Sequence, residues 1–240
     1  MESDDQIGCI SHISSLVAKA CVTSDDATEV KTNVEAAKKL VEHVKRTDLQ
    51  SKLTTTLKQT ISTRFYTYRE MIGSIVKSWE ELEAFLDERN ELNYLEDINK
   101  ILLIQTSRVL KPLHDCGLEL EQDKRPTMHR VRFWEAKLCA AFSENAQDLA
   151  AIKKMKEVGR RALSTKLSSR INIYHDVASA LDPRVDEPAD EEDRRKIVEM
   201  IDYLHQRLNG SGSDSESSQS TQENEKASEV NEVQYGPTVP

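Results

Sequence analysis

The sequence has little of what builds sheets or membrane spans. Only 7 glycines and 6 prolines punctuate 240 residues, and aromatics make up 5%. Sandwiches and barrels need frequent turn residues and strands rich in aromatic or β-branched side chains, so this scarcity points to helices instead. No apolar run approaches the roughly 20 residues that cross a bilayer, so no membrane helix is expected. Met1 to Gln6 carry acids and no apolar stretch, which argues against a secretory signal or a mitochondrial presequence. Cys9, Cys21, Cys116 and Cys139 are too dispersed for a disulfide framework, and a reducing intracellular setting is expected.

Catalytic patterns are also missing. There is no Gly-rich loop to cradle phosphates, no Gly-x-Ser-x-Gly elbow and no His-Glu-x-x-His pair. Cys9-x-x-His12 has the spacing of half a zinc site, but no second pair follows at finger distance. His114, Cys116 and His129 are the other nearby candidates, with ordinary core or surface roles as the alternative. No carboxylates form a recognisable pair, and no cofactor is called for.

What the chain does contain is helical periodicity. Val30, Val34, Ala37, Val41 and Val44 recur at steps of four and three. Leu95, Ile98, Leu102, Val109 and Leu113 carry the same pattern through a long segment, with a shorter helix at Trp79 to Leu86. Further helices are predicted over Val131 to Ala141 (opened by Arg125-Pro126-Thr127), Leu149 to Ile171 and Ile197 to Leu208, the last stopping at Gly210. A short strand is allowed only around Ile7 to Ile10. From residue 209 the composition turns to Ser, Glu, Gln and Asn with no Leu, Ile, Phe or Trp, a disordered acidic tail by composition. The expected fold class is mainly α, a helical bundle.

Charge is uneven. The net charge is −9, yet Lys124 to Arg170 holds twelve bases against four acids, while Glu80 to Asp97 holds eight acids against Arg89. A basic stretch of this kind marks either a nucleic-acid face or the solvated surface of long helices. At 100° per residue, the bases of Lys153 to Arg170 fall around most of a helix circumference, where a phosphate-tracking groove would gather them on one side.

Three stretches carry a family resemblance. Ile7-Gly8-Cys9-Ile10-Ser11-His12, leading into Ile13 to Val17, is similar to the Cys-x-x-His element of hAT-family transposases, which precedes an apolar helix. Thr63-Arg64-Phe65-Tyr66-Thr67-Tyr68 resembles the family's Thr-Arg-Trp segment, after which a helix begins. His175 to Arg184, containing Leu181-Asp182-Pro183-Arg184, resembles its LDPR signature. Leu110-Lys111-Pro112-Leu113 and Arg125-Pro126-Thr127 fall between the last two in the order the family has them.

The resemblance implies an RNase H-like core interrupted by a helical insertion, in which three acids hold the divalent ions of a two-metal DNA cleavage. On that alignment residues 1–26 are a remnant of the core and 27–185 the helical insertion, followed by an acidic hinge and terminal helix over 186–208 and the tail over 209–240. The family's acids lie upstream of the Cys-x-x-His element and well beyond LDPR, and Asp4 and Asp5 lack their flanking pattern. The chain is therefore expected to be non-catalytic, a nuclear DNA-associated or interaction module. Expected nucleic-acid contacts are Arg64, Phe65, Arg130, Arg132, Lys153, Lys154, Arg160 and Arg161. Phe65 would take the place of the family's stacking aromatic, with a core role at a helix start as the alternative. Cys9, His12, Asp182, Pro183 and Arg184 are expected as structural residues, Asp182 turning or capping the chain before Pro183. The competing expectations are a protein-binding helical scaffold, dimerising through the Val30 to Val44 or Leu95 to Leu113 stripe, and a partial product of a transposase that is active at full length.

Overall fold

A computed structural model describes residues 9–61, 67–122, 124–167, 169–183 and 190–210. Arg64, Phe65, Arg184 and the acidic tail beyond residue 210 lie outside the described residues. The described chain is mainly helical and contains no strand element. Its α-helices are α1 (Ile10–Thr23), α2 (Thr28–Arg46), α3 (Thr67–Lys77), α4 (Trp79–Glu88), α5 (Asn93–Glu96), α6 (Lys100–Leu120), α7 (Val131–Ala141), α8 (Ala150–Lys166), α9 (Ile173–Ala180) and α10 (Glu191–Gly210). Of the segment where a short strand was allowed, Ile7 and Gly8 lie outside the described residues, and Ile10 is the first residue of α1. The described residues up to Met200 form one unit and those from Ile201 another. All of the apolar core lies in the first, and the described part of the second exposes Tyr203 and Leu208.

The core is built around α1 and α6. α1 buries Ile10, Ile13, Val17, Ala18, Cys21 and Val22, and its Ser11, Ser14 and Ser15 are buried as well. Small serines let neighbours approach on more than one side. The Ser14 hydroxyl is satisfied by donating to the Ser11 carbonyl at 2.7 Å. Thus the first 26 residues, read as a remnant apart from the insertion, place their helix against α6 and α8 within one shared core. The α2 stripe Val30, Val34, Ala37, Val41 and Val44 is buried in full, at roughly 1.5–3 kcal/mol per valine. Leu95, Ile98, Leu102, Val109 and Leu113 are buried too. Both stripes weighed as dimer faces are consumed by the monomer's own packing, which removes that basis for dimerisation.

The helix expected to run from Leu95 to Leu113 is divided. α5 ends at Glu96, and α6 starts after Asn99, whose side-chain oxygen accepts from the Leu102 N–H at 3.0 Å. Asn33 of α2 fixes this break, donating to the Asn99 carbonyl at 3.1 Å and accepting from its N–H at 2.7 Å. Pro112 sits inside α6, where proline costs about 3 kcal/mol in lost bonding and crowding. Burial of Val109, Leu110 and Leu113 around it offsets that cost. The helix expected over Leu149 to Ile171 stops earlier, with α8 ending at Lys166.

Candidate nucleic-acid interface

α8 sorts its side chains by face. Ala151, Ile152, Met155, Val158, Ala162 and Leu163 point into the core. Gly159 lies with them because the ring of Phe142 occupies the space a side chain would need. Lys153, Lys154, Arg160 and Arg161 are all exposed. At 100° per residue these four span about 120° of the circumference, with Glu157 among them. The bases from Lys153 to Lys166 do fall around most of the helix, but these four share one exposed face. Lys156 is drawn inward, its ammonium 2.7 Å from the Asp148 carboxylate and donating to the Ser143 carbonyl at 3.0 Å. Arg170 lies beyond the helix end, and Lys166 turns away from the face in the last turn.

Two of the four cations have acidic neighbours from the start of α2 and the turn before it. Arg161 donates to Asp26 at 2.5 Å, and Lys154 lies 3.9 Å from Glu29. Both pairs are exposed, where such contacts contribute little and yield to competing anions. Lys153 and Arg160 have no ion-pair partner among the described residues. Their positive charge is open to solvent.

The other expected contacts are committed to structure. Arg132 on α7 forks onto Asp176 of α9, with Nη2 to Oδ2 at 2.8 Å and Nε on Oδ1, and its Nη1 donates to Glu135 at 2.7 Å. The hydrogen bonds it donates to Asp176 hold this guanidinium above its usual range of ionisation. Arg130 donates to Glu119 of α6 at 2.6 Å, and the indole N–H of Trp134 donates to the second oxygen of the same carboxylate at 3.1 Å. Those pairs tie α7 to α6 and α9. In doing so they bring two of the sequence motifs together. Arg125, Pro126 and Thr127 face Leu181 and Asp182 across a cleft of about 980 Å³. Inside it the buried Asp182 carboxylate lies 3.4 Å from His129 Nε2, and the Asp182 N–H closes the end of α9 on the Ser179 carbonyl. Pro183 follows on the surface.

Cys9 and His12 are both exposed at the start of α1. Cys116, weighed as a ligand, is buried, and burial, then Glu119, pushes its thiol up to about 12 against the opposing Ser14 hydroxyl. It stays protonated at neutral pH. His114 packs on α6 near Glu70, at 3.9 Å, and Asp115, at 3.4 Å. Among the described residues no three His, Cys, Asp or Glu side chains are arranged so that they could hold a metal ion.

His175 is buried at the first turn of α9, and its Nδ1 accepts from the Asn172 N–H at 3.1 Å, half of a capping box. Burial lowers its tendency to take a proton, with the Arg132 charge acting in the same direction. Above about pH 6.5 the ring is neutral folded and unfolded, and nothing is lost. Below that value the unfolded chain protonates first, so stability falls as pH falls. His175→Gln keeps an acceptor for the Asn172 N–H without a titrating ring. Its melting temperature is expected to decline less than the wild type's between pH 6.5 and 5; parallel declines would show that His175 is not responsible.

Phe133 and Lys137 are not among the contacts expected from the sequence, where Lys137 counts only towards the basic stretch. Arg130, Phe133 and Lys137 are spaced by three and four, which puts them on one side of α7, and that spacing was the available signal.

Comparisons with known proteins agree with the motifs at a coarse level. The chain is 26% identical over 183 residues, 76% of its length, to the Drosophila melanogaster transposable element Hobo transposase. It is also 26% identical over 132 residues, 55% of its length, to human zinc finger protein 618, and over 106 residues to the mouse protein of that name. No family model matches. The chain is thus a distant relative of a transposase and of a zinc-finger protein. It spans 28% of the length of the transposase and 13% of the human zinc-finger protein.

Proposed function

We propose that this chain is a transposase-derived helical module that associates with DNA in the nucleus through the phosphate backbone, without catalysing strand cleavage. In this reading the helical unit corresponds to the insertion of an RNase H-like transposase. The carrying observation is the outward face of α8, where Lys153, Lys154, Arg160 and Arg161 are exposed together and Lys153 and Arg160 have no ion-pair partner among the described residues. Phosphate neutralisation needs cations gathered on one side and free to leave weak local partners, and this face offers both. The distant similarity to a transposase supports the same reading. No bond-making role is assigned to His114, Cys116, Lys156, His175 or Asp182, whose side chains serve packing and pairing within the fold.

The test is binding of labelled duplex DNA to the 240-residue chain and to K153E/R160E, with K45E, remote in sequence from α8, as control. Reversing both open charges is expected to weaken binding by tenfold or more at low ionic strength, and K45E to leave it within about twofold. Equal affinity of the wild type and K153E/R160E would overturn the assignment of the face.

A further inference from the structure

We infer that the outer side of α7 is a stacking platform for an unpaired nucleobase, so that the preferred substrate is single-stranded or locally opened DNA. The inference rests on the backbone-binding reading above and names its substrate class. Phe133 is 42% exposed, although a large apolar ring in the interior of a helix is ordinarily placed against the core. It projects beside Trp134, which is buried, and the two rings meet edge to face at 5.5 Å. The Arg130 guanidinium lies 4.1 Å from the Phe133 centroid and the Lys137 ammonium 5.2 Å. The guanidinium over the ring makes a stacked pair, and a base stacks on a guanidinium plane as it does on an aromatic face, while Lys137, over the edge between Phe133 and Trp134, can meet the phosphate beside it. The surrounding surface leaves room for a base. Ala136 and Ala140, exposed at the next turns of the same side, carry no side chain beyond Cβ and keep the approach to the ring low. The one acid nearest in sequence, Glu135, is turned to Arg132 at 2.7 Å. Glu119 anchors Arg130 from below, so that its guanidinium is positioned over the ring without leaving its ion pair. Inside a duplex every base face is already stacked, so this platform adds affinity only where a base is free.

Binding of the full chain to a mixed-sequence single strand of about 15 nucleotides and to the matching blunt duplex tests this, with Phe133→Leu, Phe133→Trp and K153E/R160E alongside. Phe133→Leu is expected to lower single-strand affinity by about 5- to 150-fold, the range of one lost stacking contact, and to leave the duplex within twofold. Phe133→Trp should match or exceed the wild type on the single strand. K153E/R160E should weaken both forms. If Phe133→Leu binds the single strand as the wild type does, or loses strand and duplex equally, the platform is overturned while backbone binding stands. If the wild type binds neither form at low salt, both readings fall. Because Phe133 is partly exposed, Phe133→Leu is expected to fold, and unchanged circular dichroism with Phe133→Trp binding intact separates a lost platform from a damaged helix.

Discussion

Gly159→Ala is expected to destabilise the fold by about 2 kcal/mol and to lower the melting temperature by about 5 °C, although it removes a glycine from a helix interior. A Cβ at Gly159 would lie 2.1 Å from Cε1, 2.5 Å from Cδ1 and 2.9 Å from Cζ of Phe142. Phe142 is 1% exposed, so its ring has no open space into which to turn. The gain in helix propensity, about 1 kcal/mol, opposes overpacking that typically costs about 1–3 kcal/mol and more where the neighbour is locked. The overlap of more than an ångström decides for overpacking. Gly73 of α3 is the matched control, since nothing lies within 4 Å of its Cβ position. There the same change should stabilise by about 0.5–1 kcal/mol. Opposite signs from one substitution type are the expected thermal-melt result. Stabilisation at both sites would mean that α7 and α8 do not approach as described. Combining Gly159→Ala with Phe142→Leu should cost less than the sum of the single changes, because the smaller side chain vacates part of the clash.

Asp148→Ala is expected to cost about 2–3 kcal/mol, and Lys156→Met distinctly less. Lys156 and Asp148 retain only 11% and 15% of their side-chain exposure. Removing the carboxylate leaves an ammonium that is mostly buried beside Met155 and Ile152, held by the Ser143 carbonyl alone. That remaining bond and the residual access to water keep the loss below the 3–5 kcal/mol of a fully dry pair. Replacing the lysine instead removes the charge that burial penalises and supplies a similar apolar stem. Chemical denaturation of the two variants would check the order; a Lys156→Met loss as large as that of Asp148→Ala would mean the pair itself, and not the stranded charge, carries the stability.

The α2 stripe was legible because its valines follow the helical period without interruption. Leu95 and Ile98 also fit a helical period, which concealed the break that Asn99 makes by capping α6. α1 was visible only through the resemblance, since its buried serines blur the apolar pattern. The basic count of Lys124 to Arg170 overstated the open charge. Lys156 is buried against Asp148, Arg130 and Arg132 are held by Glu119 and Asp176, and those pairings depend on approaches of 8 to 44 residues along the chain. The outward face of α8 emerges only when Lys156 and the helix end are known.

The salt dependence of duplex binding, measured together for the wild type and K153E/R160E, addresses the α8 face most directly. Each phosphate contact contributes about −0.9 to the slope of log affinity against log salt. With Lys153, Lys154, Arg160 and Arg161 engaged, the wild-type slope is expected near −3 to −4, falling in magnitude by about 2 in the variant. A salt-independent affinity, or one slope shared by both proteins, would contradict backbone binding through this face.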